Sequence, residues 1–351
     1  MRATMSRMFT TRTPSDASSP SYRVGVAAAA LLALVATVVN GASAARWIGT
    51  PFPGFFVLPN RVVPSVGLGS WSGARDGALS GWTVSAIDGR AVETGGDVYR
   101  QVGAHAPGRT YRYTLRRGVE TRTLGVVSQR FSATDFTALF VPYLLAGLCY
   151  LLLGVLAAAL APTLRLGHAL LTLGTLAGIH ALSAVALCQP VPTLRLHALA
   201  EAFLPAALVY LALVFPRERG WLAPSLGAVA WAASLALAVP YQLLLDQPSA
   251  YGVLHAACDV YLGIAAGALL ASLVVEHARA GEAASPLLRA AVAGALTGLG
   301  VPAMLALLSA ASGGALPVDA PTAFLFPTCC AYGLVRERLA LRPAAVATTI
   351  A

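Results

Sequence analysis

Long apolar runs alternate with short polar connections over most of the chain. A helix that crosses a membrane needs about 20 mostly apolar residues. Eight runs approach or exceed that length, and the charged residues collect between them. The pattern therefore predicts eight transmembrane helices, at residues 24–45, 136–160, 167–189, 196–215, 222–245, 252–275, 288–311 and 320–336.

The first run has two interpretations. Arg23, an apolar core and the small residues Ala42 to Ala44 also fit a cleavable secretory signal. We favour a retained helix over residues 23–46, because the run ends near Trp47, a residue type that prefers the membrane interface. Either interpretation exports the segment that follows. Residues 1–22 are rich in Ser, Thr and Pro, and this composition predicts a disordered cytoplasmic tail.

Residues 47–133 have the composition of a small water-soluble domain. A strand with alternating polarity leads to Asp88-Gly89, a dipeptide typical of a tight hairpin, and then to a second strand. Residues 94–102 predict a short helix with Asp97 in its first turn, and residues 110–124 predict two strands around a turn. The segment therefore predicts an α+β domain between the first and second membrane helices.

Composition supports a membrane protein and argues against a nucleic-acid partner. The chain has 351 residues, of which 57% are hydrophobic and 11% charged, and its mean hydropathy is +0.70. A soluble domain has about a quarter charged residues. The net charge of +9 comes from Arg residues that border apolar runs instead of covering one solvated face, so binding of nucleic acid is not expected. The five cysteines lie in or beside the runs, where small apolar packing is their expected role.

The arginines in the connections predict the orientation of the helices. Cationic side chains are retained on the cytoplasmic side of a membrane. With the amino terminus inside, the short outer loops hold only Arg195. Both termini are therefore expected in the cytoplasm, with the segment 134–339 as a seven-helix bundle and 340–351 as a short cytoplasmic tail. The inner side then receives Arg2, Arg7, Arg12, Arg23, Arg165, Arg217, Arg219, Arg279, Arg289, Arg336, Arg338 and Arg342.

A few ionisable residues lie within the apolar runs, where each is costly. Two pairs have the four-residue spacing that puts both members on one helix face. These pairs and one deeper histidine predict an outward-opening ligand pocket beneath the exported domain. The alternative is that each pair satisfies itself by a local hydrogen bond. The five candidates are His180, His197, Glu201, His255 and Asp259.

Metal and cofactor sites are not predicted. Zinc could take ligands from His255, Cys258 and Asp259. However, positions 258 and 259 point about 100° apart on a helix, so the geometry disfavours this set.

Enzymatic activity is not expected. The helix-borne His-Glu-x-x-His motif of zinc proteases is absent. His180 and Ser183 share a helix face, but the favoured role of the Ser183 hydroxyl is a bond to its own preceding turn. An intramembrane hydrolase is therefore the weakest alternative. A small-molecule transporter or channel is the alternative to be weighed first, although it would need polar residues at the membrane midplane, where only His180 lies.

The exported segment resembles a bacterial PDZ domain. The similarity covers residues 54–128 and rests on GALSGWTVSAIDGRAV followed by DVYRQVGAHAPGRTYRYTLRRGVETRTLGV. The resemblance implies that an extracytoplasmic peptide or protein C-terminus adds to a sheet edge, its carboxylate held by a Gly-rich loop. Gly67, Leu68 and Gly69 are the candidates for that loop, although both glycines also suit simple turns before Trp71.

The membrane part resembles the sensor region of bacterial sensor histidine kinases. The similarity rests on FVPYLLAGLCYLLLGVLAA (140–158), LAEAFLPAALVYLALVFPRER (199–219), the Pro302 span and LFPTCCAYGLVRERL (325–339). It implies a bacterial inner-membrane protein, embedded in lipid, that senses and signals. The residues after Leu339 are too few for a kinase. We therefore expect a non-enzymatic sensor or scaffold that acts through a separate cytoplasmic kinase or transmitter.

Overall fold

The computed structural model describes residues 20–74, 79–161, 163–188, 192–220, 222–300 and 322–347, without the side chains of 20–23, 192, 222 and 340–347. Residues 1–19 of the predicted tail 1–22 and residues 348–351 of the predicted tail 340–351 lie outside this description. So do the second half of the predicted span 288–311, with Pro302, and the side chain of Arg342. The structure is mostly helical. Its helices are α1 (Pro20–Ala45), α2 (Gly95–Gly103), α3 (Ala133–Leu160), α4 (Leu164–Val185), α5 (Pro192–Val214), α6 (Leu222–Leu244), α7 (Pro248–Ala280), α8 (Pro286–Ala295) and α9 (Leu325–Ala347).

Six of the described helices are long and apolar enough to span a membrane: α1 and α3 to α7. They agree with the first six predicted spans, so the coarse prediction of a helical multi-pass protein is supported. The count of eight is not reached by this criterion. Helix α8 with the π-helical turn Leu296–Gly300 is shorter, and α9 begins at Leu325 and continues beyond the predicted end at 336.

Helices α3 and α4 form an antiparallel hairpin with direct backbone contact. A Cβ atom added to Gly174 would lie 2.5 Å from the Tyr150 carbonyl oxygen and 2.9 Å from the Gly154 Cα. Small residues permit such close approach between membrane helices, which is how these helices gain packing energy where no hydrophobic effect operates. The hairpin is thereby a rigid support for the residues near its Val185 end.

The small domain, residues 47–132, packs on one end of the bundle, which we call the domain end. Its four-stranded antiparallel sheet has the order β3-β2-β4-β5, and β1 and β6 pair separately where the chain enters and leaves the bundle. Asp88 and Gly89 both have positive φ and join β2 to β3, which confirms the predicted hairpin. The predicted helix is α2. The strands are β1 (Pro51–Phe52), β2 (Thr83–Ile87), β3 (Arg90–Ala91), β4 (Thr110–Arg117), β5 (Glu120–Val127) and β6 (Gln129–Arg130).

Two buried hydrogen bonds and an aromatic cluster join the small domain to the bundle. The Trp71 indole N–H donates to Asp135 Oδ1 at 3.0 Å, and Asn60 Nδ2 donates to the Leu245 carbonyl oxygen at 2.9 Å. The aromatic side chains of the cluster have ring centroids between 4.6 and 6.3 Å apart. Burial of such rings and pairing of their polar atoms stabilise one docked position of the domain. The rings belong to Trp47, Phe52, Phe56, Trp71, Phe131 and Phe140.

The opposite end of the bundle, the far end, gathers arginines from several helices. Arg165 Nη1 lies 3.0 Å from Glu218 Oε2, and Arg338 Nε donates to the Leu160 carbonyl oxygen at 2.8 Å, where α3 ends. Cationic side chains are favourable at helix C-termini because the last carbonyl groups lack intrahelical partners. These arginines, which the sequence assigns to the inner side, thus lie together at the end away from the small domain.

Candidate functional site

The five polar residues selected from the sequence line one cavity at the domain end of the bundle. We call it the interdomain cavity; its volume is about 460 Å³. Helix α4 contributes His180, α5 contributes His197 and Glu201, and α7 contributes His255 and Asp259. The two i, i+4 pairs face one another because α5 and α7 run in the same direction and each presents one face to the cavity.

The small domain forms the other wall of the interdomain cavity. Leu58, Val63 and Ser65 lie on this side, in the segment that connects β1 to the sheet. Leu58 is 1% exposed and packs in one apolar cluster with Tyr241 and Tyr251 of the bundle. A molecule in the cavity would therefore contact the domain and the membrane helices together.

His255 lies between the two carboxylates of the site. Its Nδ1 is 2.6 Å from Glu201 Oε1, and its Nε2 is 3.6 Å from Asp259 Oδ2. Glu201 is 2% exposed, whereas the Asp259 side chain is 59% exposed. The cluster therefore runs from a buried carboxylate through an imidazole to a carboxylate at the open side, and it joins α5 to α7.

Two tyrosines that the sequence analysis did not select hold this cluster in position. Tyr241 Oη donates to Glu201 Oε2 at 3.0 Å, and the Tyr251 ring stacks on His255 at a centroid distance of 5.6 Å. Tyr241 is in α6, forty positions from its partner. A phenol next to Pro240 near the end of an apolar run was the only sequence signal for it.

A second polar group stands beside the first, on α4 and α5. The rings of His180 and His197 stack with centroids 4.1 Å apart, and His197 Nδ1 lies 3.0 Å from Ser183 Oγ and 3.1 Å from the His180 carbonyl oxygen. His180 Nδ1 is buried and has no hydrogen-bond partner among the described residues.

The Ser183 hydroxyl does not face the interdomain cavity. Its Oγ donates to the His180 carbonyl oxygen at 3.0 Å, as the sequence analysis favoured, and Ser183 is not among the cavity-lining residues. Its imidazole neighbour is His197, not His180. A nucleophile needs access to a substrate carbonyl and a base that accepts its proton. Ser183 has an imidazole within reach but does not line the cavity.

The candidate carboxylate loop lies in an irregular stretch beside the aromatic cluster. A Cβ atom on Gly67 would be 3.6 Å from the Trp71 ring, and the Leu68 carbonyl oxygen accepts the Trp71 backbone N–H at 3.0 Å. Neither Gly67 nor Gly69 has a positive φ. Leu68 packs against the aromatic cluster. Peptide binding by these residues stays a prediction.

Helix α2 of the small domain is fixed to the cavity-lining segment through one phenol. Tyr99 Oη accepts the Val57 backbone N–H at 2.7 Å and lies 3.0 Å from the Val57 carbonyl oxygen. Burial raises the pKa of the Tyr99 phenol well above its usual value, so the group is neutral. The contact holds Val57, which precedes the cavity-lining Leu58, against helix α2 of the domain.

The donor atoms of Glu201, His255 and Asp259 come within 4.8 Å of one another, close enough to share a metal ion. Cys258, which belonged to the metal set considered from the sequence, is buried instead in an apolar cluster with Tyr241 and Tyr251. Glu201 from another helix takes its place. Sequence spacing could not predict that Glu201 replaces Cys258 in this set, because the two residues lie on different helices.

Comparison with known proteins gives no matching family model, no matching curated protein and no matching solved structure.

Proposed function

We propose that this chain is a non-enzymatic sensor or scaffold protein of a bacterial inner membrane. In this proposal a small polar ligand enters the interdomain cavity from the outer side. The small domain and the helix bundle respond together, and the bundle relays the change to a separate cytoplasmic partner. The observation that carries the proposal is the cavity of about 460 Å³, whose walls come from both parts of the chain and whose polar residues come from three membrane helices.

The composition of the cavity favours recognition over catalysis. Of its polar side chains, Glu201, His255 and Asp259 contact one another. His180 and His197 stack on each other, and the nearby hydroxyl of Ser183 faces a backbone carbonyl. Ligand sites are typically apolar cavities with a few convergent polar groups. The interdomain cavity is of this kind, because apolar Leu58 and Val63 form one wall and the polar residues of the membrane helices form the other.

Coupling follows from the differential contacts that a ligand would make. A ligand shifts an equilibrium only by its difference in affinity for the two states. When the small domain is docked, a molecule in the cavity touches both walls, and when the domain separates, half of those contacts are lost. The ligand would therefore favour the docked state, which the Trp71 to Asp135 and Asn60 to Leu245 hydrogen bonds already stabilise.

The proposal includes finer features: eight membrane helices, cytoplasmic termini, and a PDZ-like domain that also accepts a peptide C-terminus at Gly67 to Gly69. The far-end arginines support this orientation. Reporter fusions after Gly103 and after Arg279 test it. A reporter that is active only outside the cytoplasm should be active when fused after Gly103 and inactive after Arg279. A reporter that is active only in the cytoplasm should give the reverse result, and the opposite pattern would overturn the orientation.

Hydrogen–deuterium exchange of the full chain in lipid nanodiscs tests the coupling. Glu201→Gln removes a charge from the floor of the cavity, and the readout is exchange in the wall segment 57–63. There the Leu58 N–H donates to the Val62 carbonyl oxygen, and the Val63 N–H donates to the Trp82 carbonyl oxygen. We expect exchange of these amides to change at least about threefold, which corresponds to about 0.7 kcal/mol.

Glu276→Gln is the matched control, because Glu276 is a carboxylate of the same bundle, paired with Arg217 and Arg279 at the far end. It should leave the wall segment unchanged. Equal exchange in the native chain and in Glu201→Gln would show that the cavity floor does not communicate with the small domain, and it would overturn the proposal.

A further inference from the structure

We propose that Glu201, His255 and Asp259 bind a divalent transition-metal ion of the zinc class in the interdomain cavity. This inference rests on the proposed function, because it names the kind of ligand that the cavity takes. It begins from a feature of the tertiary structure: a carboxylate of α5 meets an imidazole and a carboxylate of α7, with one donor atom from each within 4.8 Å of the others.

The donor set suits such an ion. Zinc binds imidazole nitrogen and carboxylate oxygen at about 2.0–2.2 Å, so the donor atoms of a tetrahedral site lie about 3.3–3.6 Å apart. His255 Nε2 and Asp259 Oδ2 are already separated by 3.6 Å. Glu201 Oε1 contacts the other ring nitrogen, Nδ1, at 2.6 Å, so an ion on Nε2 requires the Glu201 carboxylate to leave Nδ1 and turn toward the ion. Imidazole among the ligands favours zinc-like ions over calcium or magnesium, which prefer oxygen ligands only.

The donors are supported in the way that metal ligands usually are. Ligating carboxylates and histidines in proteins are oriented by outer hydrogen bonds and packing. Here Tyr241 Oη donates to the second oxygen of Glu201, and Tyr251 stacks on the His255 ring. The three donors also lie on helices, whose relative position is fixed by packing along their length.

The negative charge of the cluster favours a bound cation. Carboxylates within apolar helices are costly, and Glu201 is 2% exposed. Asp259 is 59% exposed to water, so the buried Glu201 is the carboxylate that gains most from a nearby cation. A divalent ion would supply that charge while His255 remains neutral, which is the form of histidine that binds metals.

His180 adds a further imidazole to the lining of the same cavity. Its Nδ1 atom is buried without a hydrogen-bond partner among the described residues, and the side chain lines the same cavity from α4. A buried polar atom without a partner is unfavourable and calls for an explanation. His180 lies beside the donor set of Glu201, His255 and Asp259 and is not a member of it.

A Co²⁺ titration of the purified full chain, with any affinity tag removed, tests this inference. Co²⁺ occupies zinc sites and reports its coordination by visible d–d absorption. We expect one Co²⁺ per chain, displaced by Zn²⁺, with the affinity lowered at least about tenfold in Glu201→Gln, in His255→Gln and in Asp259→Asn. Tyr241→Phe should lower the affinity by a smaller factor, because Tyr241 acts through Glu201.

Glu276→Gln and His105→Gln are the matched controls, since one removes a carboxylate of α7 outside the cavity and the other a histidine of the small domain. Both should bind Co²⁺ as the native chain does. Unchanged exchange in α2 of the small domain and in α3 and α4 of the bundle shows that each variant is folded. No d–d absorption with the native chain, or native affinity in His255→Gln, would overturn the metal site.

The outcome is separable from that of the proposed function. Metal binding without any change of exchange in the segment 57–63 would retain the site and reject the coupling. If exchange in the segment 57–63 changes in Glu201→Gln but the native chain binds no Co²⁺, the proposed sensor function would be retained and the metal site rejected.

Discussion

The Trp71 indole N–H donates to Asp135 Oδ1 at 3.0 Å, and this hydrogen bond joins the small domain to the first turn of α3. The second oxygen of Asp135 accepts the backbone N–H and the hydroxyl of Ser132 at 2.7 Å. One carboxylate thus caps a membrane helix and holds the domain above it. Because Asp135 is only 8% exposed, its oxygens depend on these donors instead of water.

Removal of this hydrogen bond should weaken the docking of the small domain. The substitution Trp71→Phe removes the indole N–H and also part of a buried ring, and we expect it to destabilise the folded chain by at least about 1–3 kcal/mol. A double-mutant cycle with Asp135→Ala, which removes the acceptor and is measured by unfolding in mixed micelles, should give a coupling energy of at least about 1 kcal/mol. Strictly additive effects of the two substitutions would mean that the contact contributes nothing to docking.

Asp97 should make the start of α2 sensitive to acid. Its Oδ2 accepts the backbone N–H groups of Thr94 and Glu93, at 2.8 and 3.1 Å, and Arg100 lies 3.0 Å from Oδ1. These contacts, the Thr94 backbone hydrogen bond above all, lower the pKa of Asp97 below its usual value. The stability that the carboxylate contributes is therefore complete above the unfolded pKa of about 4 and is lost as the pH falls through the folded pKa.

Hydrogen exchange of α2 between pH 3 and pH 6, corrected for intrinsic rates, measures this effect. Protection should decrease below about pH 4 in the native chain. In Asp97→Asn it should be lower throughout, by about fivefold at pH 6, and nearly independent of pH, because loss of such a cap costs about 1 kcal/mol. A native chain whose α2 protection is constant across this range would contradict the assigned role of Asp97.

Gly174 should be required for the close contact of α3 with α4. A Cβ atom there would lie 2.5 Å from the Tyr150 carbonyl oxygen, so backbone would have to move. We expect Gly174→Ala to cost about 1–3 kcal/mol in unfolding free energy. Gly263→Ala in α7 is the matched control, because a Cβ atom there meets nothing within 4 Å. Equal stability of the two variants would contradict the packing of this hairpin.

Local patterns were sufficient for many elements of this fold. Apolar run length locates the first six membrane helices, because a span must match the membrane thickness. Asp88-Gly89 specifies its hairpin, since both residues adopt positive φ there. The i, i+4 spacing of His197 with Glu201 and of His255 with Asp259 specifies which side chains share a helix face.

Contacts between side chains of different helices could not be predicted from the sequence. The pairing of Glu201 with His255 depends on the register of α5 against α7, and helix packing leaves no periodic signal for such a register. Ser183 illustrates the same limit, because its imidazole partner is His197 of the next helix and not His180 of its own. Tyr241 reaches Glu201 from α6, and Trp71 reaches Asp135 across sixty-four positions.

The central claim is that the cluster around Glu201 is a ligand site and not a structural ion pair. The unfolding free energy of Glu201→Gln, measured in mixed micelles with a chelator present, tests it most directly. A ligand site carries a buried carboxylate at a cost to the empty protein, so we expect the variant to be within about 1 kcal/mol of the native chain or more stable. A structural pair would lose about 3–5 kcal/mol when one partner is neutralised, and that result would contradict the account.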